Sequence, residues 1–256
     1  MSKSGMTGMG LHQALSFFPF MMQVPKAEAV FWPGCALMNL DGVLLERTLS
    51  VLRRAEPQMQ LCTCCCSQPS VYLFPEKAKN RQEQLLSLLK KQGVQRIYTA
   101  CPNCTIQLRV LGLEVFSIWP ILAKYLRKGD ILSCSGSYVW HDPCATKKDA
   151  EQQKAVRELL KLSGCDYCEP KHSGCHTICC GNFHMMHTLH PETSAEMRKC
   201  RLEEFPKDCK VLSSCEGCLG SFRGEGKDGK HLLELLFGDS KQRGWSNRIK
   251  TTMKQK

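Results

Sequence analysis

The sequence predicts an α/β protein made of two similar halves, each a small, mostly parallel sheet flanked by helices. Three observations support this prediction: cysteine motifs that occur twice, short β-rich runs that alternate with amphipathic helical segments, and cysteines that fall where a predicted strand ends. The chain has 256 residues, of which 43% are apolar, so it can bury a packed core.

The cysteine repeat defines the two halves. Each half contains a cysteine after a β-rich run, then adjacent cysteines, then a C-x-x-C pair. Cys66 and Cys101 are separated by 34 residues, and Cys180 and Cys215 are separated by 34 residues as well. The predicted domains are an N-terminal arm (1–27), a first repeat (28–130), a second repeat (131–238) and a basic C-terminal tail (239–256).

The elements recur in the same order in both repeats. "AVFWPGC" and "SYVWHDPC" predict short strands that end at a cysteine. Residues 79–93 and 192–205 predict amphipathic helices. "VQRIYTAC" and "CKVLSSC" predict buried strands that lead to the C-x-x-C pair. A short helix should follow each pair, and a further helix is expected over 118–126 and over 230–237. Turn-rich residues 128–137 separate the repeats.

The two ends of the chain are expected to lie outside this core. Residues 14–22 are apolar but short and interrupted by Pro19, so they predict a disordered or core-covering arm rather than a membrane span. An arm on a membrane surface and a signal peptide that ends near residue 29 are the alternatives. The basic tail is expected to be solvated, or to contact lipid or an acidic partner.

The C-x-x-C pairs suit metal binding. Cys101 is predicted to be a helix N-cap, with Pro102 at the first helical position, so that Cys104 faces the same side. The helix dipole there favours thiolates. Cys215 and Cys218 repeat this pattern without the proline.

Adjacent cysteines need a tight turn if both are to face one site. Gly181 follows Cys180 and can adopt the positive φ that such a turn requires. Ser67 stands at the matching position of the first half, so its turn must either differ or be strained.

Charge and cysteine content narrow the class of protein. The net charge of +11 favours acidic partners, such as an acidic redox protein or an anionic membrane surface. Each filled thiolate site would change this sum by roughly −2 to −3, which argues against a nucleic-acid partner. Eighteen cysteines in a chain of this length indicate metal ligation in a reducing compartment rather than a secreted disulfide scaffold, so we expect a cytoplasmic location.

These motifs resemble the duplicated cysteine-rich CCG domain found in the disulfide-reducing component of heterodisulfide reductase. Glycolate oxidase and lactate utilisation iron–sulfur proteins share this domain. The resemblance covers about residues 28–238 and implies two pseudo-symmetric CCG half-domains. It also implies a noncubane [4Fe-4S] cluster on each set of five cysteines, with zinc as an alternative at the first set. The implied ligands are Cys35, Cys65, Cys66, Cys101 and Cys104 in the first set, and Cys144, Cys179, Cys180, Cys215 and Cys218 in the second.

The sequence departs from the family pattern at three places. Ser67 breaks the first CCG motif, Ala145 stands where relatives often have histidine, and Cys62 and Cys64 crowd the first pair as alternative ligands. No ferredoxin-like C-x-x-C-x-x-C segment precedes the motifs, so cubane clusters must come from another subunit.

Two functions are expected from the resemblance. The first is a catalytic subunit that reduces a disulfide with electrons from a ferredoxin-like iron–sulfur subunit or a flavoprotein subunit. The alternative is an electron-transfer subunit that links a flavin dehydrogenase to quinone at the inner face of the membrane. A zinc-stabilised scaffold is a third, non-redox interpretation.

Several residues have two interpretations. His184 and His187 either pass protons to a substrate sulfur or are surface and capping residues. His141 and Asp142 are candidates for hydrogen bonds to cluster sulfur. A third metal site or loop packing explains Cys165, Cys168 and Cys175, and buried packing positions are expected for Cys134, Cys200 and Cys209.

Overall fold

The computed structural model describes residues 3–132 and 136–255. The chain divides into two compact units, one formed by residues up to 118 together with those from 240 onward, and the other by residues 119–239. Within the described residues, no helix is both long and apolar enough to cross a membrane. Cys134 lies outside the described residues, so its expected burial stays a prediction.

The described residues form eight strands and twelve α-helices with the following bounds. The strands are β1 (Ala29–Trp32), β2 (Gln60–Leu61), β3 (Arg96–Thr99), β4 (Glu114–Ser117), β5 (Ser137–His141), β6 (Asp166–Cys168), β7 (Lys210–Ser213) and β8 (Gly229–His231). The helices are α1 (Lys3–Ser16), α2 (Gly42–Leu52), α3 (Gln68–Leu73), α4 (Pro75–Lys91), α5 (Pro102–Val110), α6 (Ile118–Tyr125), α7 (Ala150–Ser163), α8 (Met186–Leu189), α9 (Pro191–Leu202), α10 (Glu216–Arg223), α11 (Leu232–Phe237) and α12 (Trp245–Met253).

Each unit contains one four-stranded sheet in which every strand pair is parallel. The first sheet has the order β2-β1-β3-β4 and the second has the order β6-β5-β7-β8. All four residues of β1 are buried, and so are the last four of β5. Central strands of this kind need helices on both faces, which the helices between the strands supply. The predicted α/β fold with two repeated, parallel sheets is confirmed.

The register of the two sheets shows which positions correspond. Trp32 lies beside Thr99 in the first sheet, and His141 lies beside Ser213 in the second. Trp32 and His141 each end their strand three positions before the first cysteine of their set. His141 therefore occupies the place that Trp32 occupies in the first unit, and both side chains are fully buried.

Both ends of the chain belong to the first unit. The arm forms α1, which buries Gln13 and Ser16, so the core-covering alternative is confirmed for this helix. The C-terminal segment forms α12 and buries Asn247 and Arg248. The Asn247 amide donates to the carbonyl oxygen of Asn39 at 3.1 Å. The expectation of a merely solvated tail is therefore wrong, because α12 packs its polar face inward.

Candidate metal centres

The predicted cysteine ligands lie where parallel strands end. Cys35 and Cys101 follow the neighbouring strands β1 and β3, and Cys144 and Cys215 follow the neighbouring strands β5 and β7. Carboxyl ends of adjacent parallel strands meet at one edge of a sheet, which is where α/β folds place their sites. Each unit thus places the first cysteine of its set close to the C-x-x-C pair.

The first five cysteines form a continuous path of sulfur contacts, here called the first quintet. Cys35 contacts Cys65, and Cys65 contacts Cys66. The sulfurs of Cys66 and Cys104 are 3.2 Å apart, and Cys104 contacts Cys101. All five predicted residues of this set are brought together.

The second five cysteines follow the same path and are called the second quintet. Cys144 contacts Cys179, which contacts Cys180. The sulfurs of Cys180 and Cys218 are 3.2 Å apart, and Cys218 contacts Cys215. The two quintets therefore match residue by residue, although the sequence separation between the first cysteine and the adjacent pair differs.

The C-x-x-C pairs sit at helix N-termini as predicted. Cys101 is the N-cap of α5 with Pro102 at the first helical position, and Cys215 is the N-cap of α10. The pKa of Cys101 is lowered, first by the hydrogen bond from the Cys104 thiol and also by the backbone N–H groups of Asn103 and Cys104. These free N–H groups at the start of α5 stabilise a thiolate ligand.

The second cysteine of each path, which is the first of the adjacent pair, is the most acidic. Hydrogen bonds from Cys35 and Cys66 hold the pKa of Cys65 well below its usual value. Hydrogen bonds from Cys144 and Cys180 lower the pKa of Cys179 to about 2. Since thiolates are the form that ligates metal, each quintet presents an anionic sulfur in its adjacent cysteine pair.

The turns after the adjacent cysteines share one backbone conformation. Gly181 has φ 82° and Ser67 has φ 63°, so the first turn is the strained one and does not differ in shape. A Cβ on Gly181 would overlap the carbonyl group of Ser194, which excludes a side chain there. Ser67 is accommodated at its own position, but its hydroxyl is buried without a hydrogen-bond partner.

Gly34 is a further constrained position, which no motif in the sequence had indicated. It has φ 89°, and a Cβ there would lie 2.7 Å from the Cβ of Cys101 and 3.2 Å from the sulfur of Cys104. Any side chain at this position would push the C-x-x-C pair away from Cys35. Close backbone approach between two ligand loops therefore requires glycine here.

His141 presents a hydrogen-bond donor to the second quintet. Arg201 Nε donates to His141 Nδ1 at 3.0 Å, so the ring proton must be on Nε2. Burial, and then the charge of Arg201, lowers the pKa of His141 to about 3, which keeps the ring neutral. Ligand atoms of His141, Cys180 and Cys218 all lie within 4.8 Å of one another. Because Nε2 carries the proton, His141 can donate to sulfur but cannot act as a ligand itself.

Asp142 holds the loops of the second quintet together. Its carboxylate accepts hydrogen bonds from Trp140 Nε1 at 2.8 Å, from Arg157 Nη2 at 2.8 Å and from the N–H of Gly174 at 2.7 Å. Its carbonyl oxygen accepts from the Thr177 hydroxyl at 2.7 Å. Burial would raise the pKa of Asp142, but these hydrogen bonds lower it. An ionised carboxylate has no proton to donate, so Asp142 positions the loops rather than bonding to sulfur.

The two candidate catalytic histidines differ in their surroundings. His184 is exposed, and its ring stacks on the ring of Phe183 with 3.7 Å between the centroids. The charge of the Cys179 thiolate also acts on His184. His187 is half-buried, and its Nδ1 has no hydrogen-bond partner. It lines a cavity of about 430 Å³ beside the second quintet, and burial followed by the charge of Arg198 lowers its pKa.

The remaining cysteines do not form a third centre in the described part of the chain. Cys165 and Cys175 line a groove of about 980 Å³, whereas Cys168 contacts Cys209 instead. Cys200 is exposed, so its expected burial is wrong, and Cys209 is only half-buried. Two further buried cysteines lie beside the first quintet, Cys62 and Cys64, which contact each other.

The fold and the two quintets define a protein with duplicated, cysteine-lined metal centres. The family of the CCG cysteine-rich domain matches residues 29–109 and 138–223, which together make up more than half of the chain. The chain belongs to this family. A duplicated CCG domain with many cysteines points to iron–sulfur electron transfer.

Solved structures resemble the chain only distantly. The chain is similar to an aspartate racemase from Picrophilus torridus, with 12% identity over 87% of this chain and 99% of that chain, and a TM-score of 0.33. An allantoin racemase from Klebsiella pneumoniae has 12% identity over 89% of this chain and 87% of that chain, with a TM-score of 0.26. These scores are too low to support an argument about fold or function. No curated protein matches the chain.

Proposed function

We propose that this chain is an iron–sulfur oxidoreductase subunit that reduces a disulfide-type substrate with electrons from a partner subunit. Each quintet would hold one noncubane [4Fe-4S] cluster, bound by the five cysteines of its path. The observation that supports this proposal most is the pair of matching five-sulfur paths, each with an acidic cysteine in its adjacent pair. The partner would be a ferredoxin-like iron–sulfur subunit or a flavoprotein subunit, in a cytoplasmic or membrane-attached complex.

The spacing of the sulfurs favours a cluster over a single zinc ion. With Zn–S bonds of about 2.3 Å, the sulfurs of a tetrahedral zinc site lie about 3.8 Å from one another. In the part of the chain that the structure describes, one three-membered group has all its ligand atoms within 4.8 Å, and it includes the non-ligating His141. Neither quintet thus offers three sulfurs spaced for one ion. A row of five sulfurs suits a larger group with several metal atoms.

The residues of this chain would bind substrate and supply protons, while the bound clusters would supply single electrons. Reduction of a disulfide takes two electrons and two protons and yields two thiols. The cavity beside the second quintet has the size of a small-molecule site. Neutral His187 lines it and can relay a proton by releasing one at one ring nitrogen while accepting another at the second. His184, close to Cys179, is the second candidate for this role.

Glycines in α10 and directly after it line the cavity and leave space in it. Gly217, Gly220 and the following Gly224 all line the cavity. A Cβ on Gly220 would meet no atom within 4 Å. Replacing Gly220 by leucine would therefore add a side chain to the cavity lining with room for its Cβ, and it would also raise helix propensity.

Turnover with the co-purified partner tests the proposal. We expect anaerobically prepared protein to reduce a disulfide, and Gly220→Leu to lower kcat/KM at least tenfold while its unfolding temperature stays the same or rises. Gly8→Leu is the matched control, because Gly8 is also an exposed helical glycine with free space at its Cβ. Unchanged kcat/KM in Gly220→Leu would exclude this cavity as the substrate site.

A second candidate function is electron transfer from a flavin dehydrogenase to quinone at a membrane surface. Leu11 and Leu15 lie one turn apart on α1 and are 62% and 43% exposed, and Phe18, just after the helix, is 60% exposed. Such an apolar stripe suits contact with lipid. Flotation with anionic vesicles tests this alternative, since Leu11→Ser with Phe18→Ser should abolish binding if the stripe inserts.

A further inference from the structure

Arg248 in α12 is a buried cation with an incomplete set of partners. Its side chain is fully buried, and Nη1 donates to the Ser16 hydroxyl at 2.9 Å. Nε and Nη2 have no hydrogen-bond partner. Among the described residues, no carboxylate forms an ion pair with it. A buried charge without a counter-ion is strongly unfavourable, so an anion is expected next to this guanidinium.

The sulfurs of the first quintet are candidates for that anion, because Ser16, which accepts from Arg248, lies on α1 one turn from Gln13, whose amide donates to the Cys65 sulfur. The charge of Arg248 acts on Cys65. Arg248 also acts electrostatically on Cys35 and Cys64. The guanidinium therefore lies close enough to the quintet to stabilise negative charge there.

Both ends of the chain contribute to this environment. The Arg248 guanidinium stacks over the Trp245 ring at 4.6 Å, and the His12 ring meets the same indole edge-on at 5.3 Å. From α1, buried Gln13 donates to the sulfur of Cys65 at 3.6 Å and accepts from the Ser70 hydroxyl at 2.6 Å. Helices α1 and α12 thus form a polar cap over the first quintet, which fixes the position of Arg248.

The second quintet has a buried arginine as well, but its charge is balanced. Arg201 Nη1 forms an ion pair with Glu204 at 2.8 Å and donates to the carbonyl oxygen of His172 at 2.7 Å. Its Nε donates to His141. The two quintets therefore match in their sulfurs but differ in the charge that surrounds them.

We propose that Arg248 is the fixed counter-cation of the first centre: it balances the negative charge of the thiolates and of the group they hold, and it raises the reduction potential of that group. This inference rests on the proposed function, because it requires a redox-active group bound by the first quintet. A positive charge that lies closer to one centre favours the arrival of an electron there, because reduction adds negative charge.

Redox titration of the loaded protein, followed by electron paramagnetic resonance, tests this inference. In Arg248→Met, we expect one of the two midpoint potentials to fall by at least the equivalent of a tenfold change in the reduction equilibrium, about 59 mV for a one-electron couple. Arg248→Lys should restore most of the difference, because it keeps the charge. Lys250→Met removes an exposed charge from the same helix and should leave both potentials unchanged. Unchanged potentials in Arg248→Met, or an equal fall in both, would overturn the proposal.

A measurement without the cluster separates this inference from the proposed function. In a background of Cys179→Ser and Cys215→Ser, Co²⁺ binding to the first quintet can be followed by its thiolate absorption bands. We expect Arg248→Met to weaken Co²⁺ binding at least tenfold, because the thiolates that bind the metal lose their counter-charge. Wild-type protein that binds Co²⁺ but never assembles a cluster would contradict the proposed function alone. Equal Co²⁺ affinities with and without the Arg248→Met substitution would contradict the counter-cation alone.

Discussion

Exchange of the residues in the two left-handed turns is expected to have opposite effects on stability. In Gly181→Ala, the new methyl group would overlap the carbonyl group of Ser194, whose hydroxyl also donates to the carbonyl oxygen of Gly181 at 2.6 Å. The left-handed conformation costs an alanine about 1–2 kcal/mol, reduced by about 0.4–1 kcal/mol from the stiffer unfolded chain. Overpacking adds about 1–3 kcal/mol, so we expect a loss of about 2–4 kcal/mol in the free energy of unfolding.

The reciprocal change, Ser67→Gly, removes two unfavourable features at once. It relieves the left-handed backbone at φ 63° and deletes a hydroxyl that is buried without a partner. The gain is partly offset by the more flexible unfolded chain, so we expect a stabilisation of about 1 kcal/mol.

Urea unfolding of the reduced, metal-free protein measures both effects. Trp32 in the first unit and Trp140 in the second are fully buried, so intrinsic fluorescence reports on both units. Gly220→Ala is the control, because it adds the same methyl group at a helical glycine with free space. A Gly181→Ala protein within about 0.5 kcal/mol of wild type, or a clearly destabilised Ser67→Gly, would refute this account of the turns.

Three further predictions concern the second centre. His141→Leu should lower the reduction potential of the second cluster, because the buried Nε2–H, which has no partner within the protein and is available to cluster sulfur, is lost. It should also cost about 1–3 kcal/mol by leaving Arg201 Nε unpaired. Potentiometry beside urea unfolding checks both effects, and an unchanged potential would contradict the donor role. The pKa of Asp142 is lowered in the folded protein, so its contribution to stability is complete above its unfolded pKa and is lost as the pH falls through the folded pKa. Asp142→Asn should lack this acid-dependent loss of stability in acid unfolding. Identical acid unfolding profiles for Asp142→Asn and wild type would contradict this role of Asp142. Arg157→Met should destabilise the second unit more than Lys154→Met, because Arg157 donates to buried Asp142 whereas Lys154 is 80% exposed. Equal losses of stability in thermal unfolding would contradict this difference between the two ion pairs.

The sequence allowed prediction of the parts of each centre that are close along the chain or repeated. The spacing of Cys101 and Cys104 after a strand, with Pro102 between them, was sufficient to place an N-cap and a helix start. Gly181 after Cys180 was sufficient to predict a left-handed turn. Residues that are neighbours in the sequence determine these caps and turns, so they can be predicted from a short stretch of sequence.

The cap over the first quintet could not be predicted in this way. Arg248 contacts Ser16 across 232 positions, and no local pattern encodes such a contact. The pattern of α12 was also misleading, because this helix buries Arg248 while Ile249 and Met253 are 40% and 58% exposed. A helix with its polar face inward contradicts the usual rule that the apolar face is buried, and only the structure reveals the reason. The correspondence of Trp32 with His141 was hidden for a similar reason, since it requires the register of both sheets.

The most direct test of the central claim is the metal and sulfide content of anaerobically reconstituted protein, measured together with that of Cys65→Ser and Cys179→Ser. We predict about eight irons and eight acid-labile sulfides in the wild-type chain, and about half of each in either variant, because the two quintets bind their clusters independently. Zinc without sulfide, or the loss of all iron from a single one of these variants, would contradict the account.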